Sequence, residues 1–156
     1  MVIEEKVVDY LIQKGYHIAF AESCTGGLAS ARIVNVPNAS KVLNSSFVTY
    51  SNEAKMKFLG VKRESLEKYG AVSEQVAKEM ACGVSKVADA EIGIGISGIA
   101  GPSGGTKEKP VGMVCFGIKV NQTCYTYTQY FLNKSRNEVR KESVDFVLTK
   151  LLELII

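Results

Sequence analysis

The chain has 156 residues, 46% of them apolar and 22% charged, the balance of an ordinary globular domain able to bury its own core. Its formal net charge is +3, with lysine and arginine scattered along the sequence, so the basic runs that track nucleic acid are absent. One histidine, His17, and four cysteines without a C-x-x-C pair argue against a zinc site and leave a Ser-His-Asp triad only His17 to draw on.

Residues 3–14 place Ile3, Val7, Val8, Leu11 and Ile12 at helical spacing, and Gly15 ends that helix. A strand over 17–21 and a helix over 26–34 follow, closed by Pro37. Residues 38–40 open a loop or short helix, and the β-branched and aromatic content of 46–51 predicts a strand. Asn52 starts a helix that stops at Gly60, a short helix over 64–69 ends at Gly70, and Ser73 caps a long one reaching Ala88. Residues 92–96 alternate isoleucine with glycine, a strand with close neighbours on one side. Strands over 111–120 and 123–131 make a hairpin about Asn121-Gln122, and Ser135 with Glu138 forms a capping box for the last helix.

Strands alternating with helices predict one domain over 1–156 with a three-layer α/β/α architecture and a mixed, partly parallel sheet. The N-terminus shows no basic region leading into an apolar one, and no apolar run approaches a membrane span. With unpaired cysteine spacing, these features predict a cytoplasmic protein with reduced thiols that uses neither membrane nor nucleic acid.

In such sheets ligands sit at the carboxyl ends of strands, and three strand ends here are rich in small and hydroxyl residues. Ser23, Thr25, Gly26 and Gly27 form one turn; Ser97, Gly98 and Gly101 form another. Glycine turns of this kind suit a phosphate or serve simply as tight connections. Between them, Tyr50 at a strand end and Lys55 in the next helical turn can face one cleft. A lysine made neutral by burial can take a proton from a serine, and a tyrosine can relay it or hold an oxyanion. The plainer reading is a snorkelling lysine beside a half-buried tyrosine. Cys24 ranks low as a nucleophile, having no histidine partner. Arg136 and Arg140 can each pair with a phosphate or carboxylate, with a solvated helix face the favoured reading for Arg140.

These residues carry a resemblance. Ala-Glu-Ser-Cys-Thr-Gly-Gly (21–27), Val-Thr-Tyr-Ser-Asn-Glu-Ala-Lys (48–55), Gly-Ala-Val-Ser (70–73), Ser-Gly-Ile-Ala-Gly-Pro-x-Gly-Gly (97–105) and Lys-Pro-Val-Gly (109–112) resemble the CinA C-terminal domain family over nearly the whole chain. The resemblance implies an amidohydrolase that converts nicotinamide mononucleotide to nicotinic acid mononucleotide and ammonia, with no metal or other cofactor. Its serine, tyrosine and lysine set maps onto Tyr50 and Lys55, with Ser40 and Ser23 competing as nucleophile. Ser40 is favoured because it shares a connected unit with Tyr50, leaving Ser23 and Thr25 for oxyanion or phosphate contacts. Gly26, Gly27, Ser97, Gly98, Gly101 and Arg136 complete the implied substrate contacts. The sequence departs from the family at Asn38, where glycine is frequent, at 133–135, where Asn-Lys-Ser replaces a Gly-Asp pair, and at Ser97, where many relatives have threonine. The alternative function is a binding or regulatory module without turnover, in a family associated with competence and DNA damage. The apolar tail 151–156 predicts a homo-oligomer, or else burial within the subunit.

Overall fold

The computed structural model describes residues 1–156. Its elements in chain order are α1 (Ile3–Lys14), β1 (Ile18–Glu22), α2 (Leu28–Val34), a 3-10 turn (Ala39–Lys41), β2 (Phe47–Val48), α3 (Asn52–Leu59), α4 (Arg63–Tyr69), α5 (Glu74–Ala88), β3 (Ile92–Gly98), β4 (Met113–Val120), β5 (Thr123–Tyr130) and α6 (Arg136–Ile155). The strands form one sheet in the order β2-β1-β3-β4-β5, with β1 parallel to β2 and β3, and β4 and β5 antiparallel. The fold is a mixed α/β sheet, as the alternation of elements predicts.

Side chains alternate across this sheet and divide the core in two. Ile18, Phe20, Ile94, Ile96, Phe116 and Ile118 pack with α1, α2 and α6, whereas Ala19 and Ala21 face α4 and α5 through Leu66, Val76 and Met80. The second face is shallow because glycine lets α5 lie directly on the strands. A Cβ at Gly95 would stand 2.3 Å from the Ala77 carbonyl, and one at Gly117 would stand 2.4 Å from the same oxygen. The isoleucine–glycine alternation of β3 is therefore a large face and a flat face of one strand.

Boundaries shift where caps compete with strand or helix. Gly26 and Gly27 adopt positive φ (58° and 103°), so α2 starts two residues later than its pattern predicts, at Leu28. β2 is only two residues long because the Ser51 hydroxyl turns to accept from the Ala54 amide and starts α3. The capping box of Ser135 and Glu138 forms as the sequence predicts. At the far end of α6, Leu151 and Ile155 are buried and Leu152 and Leu154 pack against the same core. The apolar tail thus has partners inside the chain and provides no argument for self-association. No helix is long and apolar enough to cross a membrane.

Candidate functional site

The carboxyl ends of β1 and β3 open into a cleft of about 350 Å³. Ser23 and Cys24 line it from β1, Tyr50, Asn52 and Lys55 from the β2–α3 junction, and Ser97–Gly101 with Ser103 and Gly104 from the β3 end, while Arg136 comes from α6. Ala71 and Val72 close the apolar side. Lys55 and Arg136 are the only charged residues lining the cleft, so its field favours an anion.

Lys55 is the residue this site is assembled around. Its side chain is 1% exposed. Its Nζ lies 3.0 Å from Ser23 Oγ, 2.8 Å from the Thr49 carbonyl and 3.3 Å from the Tyr50 carbonyl. Burial without a carboxylate partner disfavours the charged amine and lowers the Lys55 pKa from 10.5 to about 8. The parallel register of β1 and β2, with Glu22 opposite Val48, sets Ser23 beside Thr49 and so brings α3 over the end of β1.

The turn carrying Ser23 is held from both sides. On one side, the fully buried Glu22 carboxylate accepts from the amides of Gly27 (3.1 Å), Ala29 (2.9 Å) and Ser30 (2.9 Å), and from the Ser30 hydroxyl (2.7 Å). It fills the positive end of α2 with a charge from the chain itself. On the other side, Arg140 donates from Nε to the Cys24 carbonyl (3.1 Å) and from Nη2 to the Thr25 carbonyl (3.0 Å). Arg140 is a latch on this turn, not part of a free helix face. Only the long-range fold shows this, since 115 residues separate it from Thr25.

These contacts correct the expected cradle at the first turn. The Gly26 amide donates to the Ser23 carbonyl and the Gly27 amide to Glu22. Thr25 is fully buried. None of these three lines the cleft.

Ser40 is likewise not brought to Lys55. It is exposed on the 3-10 turn, just before the segment where Ile18 donates to the Val42 carbonyl and bridges to Leu43. That segment meets the amino end of β1, with roughly 15 Å of strand between it and Ser23. Ser40 also falls outside the cleft lining. Sharing a connected unit with Tyr50 misleads here, because the unit runs the length of β1 before it reaches Tyr50.

The Tyr50 hydroxyl is not bonded to Ser23 or Lys55. It accepts from Arg136 Nη2 at 3.1 Å, while Arg136 Nη1 donates to the Gly101 carbonyl at 2.7 Å. Tyr50, 62% exposed, therefore forms the rim with Arg136. Cys24 is buried, and its thiol is pushed up to about 12 by that burial, which keeps it protonated and a poor nucleophile. His17 precedes β1 at the opposite end and sits 3.7 Å from Glu91. Ala71, Val72, Asn52, Ser103 and Gly104 are cleft residues that sequence reasoning missed. For Ala71 and Val72 a signal existed in the Gly-Ala-Val-Ser segment, which pattern alone assigns no role.

The chain is a mixed α/β domain whose sheet opens at its carboxyl edge onto a serine and a buried lysine. Residues 1–155 match the CinA C-terminal domain, and the chain belongs to that family. It is 51% identical over 156 residues to a CinA-like protein of Kosmotoga olearia, covering 98% of this chain and 38% of that protein. It is 50% identical to a putative competence-damage inducible protein of Clostridioides difficile, covering 96% of this chain and 35% of that one. The chain thus spans little more than a third of these curated relatives. Among solved structures, a CinA superfamily protein from Enterobacter cloacae superposes with a TM-score of 0.95 at 33% identity, over 99% of this chain and 90% of that one. One from Escherichia coli superposes with a TM-score of 0.94 at 38% identity, over 97% and 88%.

Proposed function

We propose that this chain is an amidohydrolase in which Ser23 is the nucleophile and Lys55 its base, acting on the carboxamide of nicotinamide mononucleotide. The observation that carries this reading is the 3.0 Å contact between Lys55 Nζ and Ser23 Oγ inside a water-poor corner of the cleft. A neutral lysine has two N–H groups. The Thr49 and Tyr50 carbonyls take both, which leaves the nitrogen lone pair facing the Ser23 hydroxyl.

In this reading Lys55 takes the Ser23 proton as Oγ bonds to the carboxamide carbon. The oxyanion forms beside the backbone N–H of Cys24, the residue after the nucleophile. Lys55 then returns its proton to the departing nitrogen, the C–N bond breaks and ammonia leaves. A water molecule deprotonated by Lys55 cleaves the acyl ester, giving the carboxylate and restoring Ser23. The choice of substrate comes from the family resemblance, and the cationic cleft is in keeping with a nucleotide.

Incubating the purified chain with nicotinamide mononucleotide and recording ammonia and nicotinic acid mononucleotide tests the reading. Binding without ammonia release, on both sides of pH 8 and with folding verified by circular dichroism, would replace it by a binding module.

A further inference from the structure

We infer that the turn 100–105, together with Arg136, is the anion-binding end of the cleft and holds the phosphate of a phosphomonoester. The placement of that ligand's amide at Ser23 rests on the reading above; the phosphate site does not.

The backbone amides decide between the two glycine turns. At the first, the donors of Gly26, Gly27, Ala29 and Ser30 are all engaged, three of them by Glu22. A substrate phosphate there would meet a buried carboxylate already in place. At the second, the amides of Ala100, Gly101, Ser103, Gly104 and Gly105 donate to no acceptor in the chain. Ala100 and Gly101 are largely enclosed, and amides without a partner in the chain call for an outside acceptor, water or a ligand. Ala100, Gly101, Ser103 and Gly104 all line the cleft.

Two further features shape this end. Gly101 and Gly104 have φ of 83° and 92°, a conformation common in backbone turns that hold anions, with Pro102 between them contributing no N–H. A Cβ at Gly101 would also stand 2.3 Å from Val111 Cγ1, so no larger residue fits without a shift. Arg136 fixes the turn through the Gly101 carbonyl, gives another N–H to the Tyr50 hydroxyl, and lines the cleft with donors still to spare. Engaged amides at one turn and free amides at the other distinguish the two. The donors open to a fixed anion lie at the Arg136 end.

The test is amide-resolved NMR of the ¹⁵N-labelled chain titrated with inorganic phosphate and, separately, with ribose 5-phosphate. Both should shift the amides of 100–105 saturably while Gly27, Ala29 and Ser30 stay in place. Arg136→Gln should weaken both ligands roughly tenfold or more, as loss of a charge-assisted contact does. Ribose 5-phosphate binding more tightly than phosphate assigns the site to a sugar phosphate, and equal binding assigns it to the phosphate group alone. Shifts at Gly27, Ala29 and Ser30, or no saturable shift at 100–105, would overturn the inference. Phosphate binding at 100–105 without amide turnover would uphold it and remove the hydrolase reading. Hydrolysis of nicotinamide riboside as fast as its 5′-phosphate, with 100–105 unmoved, would do the reverse.

Discussion

Lys55 Nζ stands 3.0 Å from Ser23 Oγ, and no carboxylate lines the cleft with it. An ion-paired lysine would stay protonated. This one is buried with no counter-charge beside it, so its proton is held weakly. Lys55→Met keeps the volume and removes the base; kcat should fall by about 10²- to 10⁴-fold. Steady-state ammonia release, with folding checked by circular dichroism, measures it.

Because the Lys55 pKa is lowered to about 8, kcat/KM should rise with pH through that value and level off above it. Stability follows the same group. Between about pH 8 and pH 10.5 the unfolded chain holds the lysine proton and the folded chain does not, so stability gains as pH rises across this window. The gain from this group is complete above 10.5 and lost as pH falls through 8, and it is on the order of 3 kcal/mol. Urea unfolding at a series of pH values should show this rise in the native chain, with a smaller rise in Lys55→Met.

Glu22→Gln replaces an oxygen that accepts from backbone amides with an NH₂ group that cannot. With four donors converging on Glu22 and no water access, the variant should lose about 1–3 kcal/mol. The shift in urea midpoint reports it. The carboxylate also fixes the turn bearing Ser23, so kcat should fall more than KM rises.

Gly95→Ala tests the flat face of β3. Its Cβ would meet the Ala77 carbonyl at 2.3 Å and the Ala81 nitrogen at 2.9 Å, both helix backbone. Separating α5 from the sheet should cost about 1–3 kcal/mol. Thermal unfolding gives the number, and an unchanged midpoint would show that α5 has room to move.

Much of this architecture is legible locally. The capping box of Ser135 and Glu138, the glycine stops at Gly15 and Gly60, and the isoleucine–glycine alternation of β3 are each short-range signals of short-range structure. The spacing of Tyr50 and Lys55 likewise points to one cleft. What stays hidden depends on register. Ser23 and Lys55 meet across 32 residues because β2 pairs with β1 at Glu22 and Val48. The same pairing carries Ser40 to the amino end of β1, where Leu43 bridges to Ile18. Arg140 reads as a solvated charge in sequence and Glu22 is assigned no role there, and only the fold shows them gripping the amides and carbonyls around one turn.

The most direct measurement compares two serine variants. Ammonia release from nicotinamide mononucleotide should fall by roughly a thousandfold or more in Ser23→Ala. Ser40→Ala, exposed and at the other end of β1, should keep activity within about twofold, as surface substitutions away from a site generally do. Loss of activity in Ser40→Ala beside an active Ser23→Ala would contradict the account.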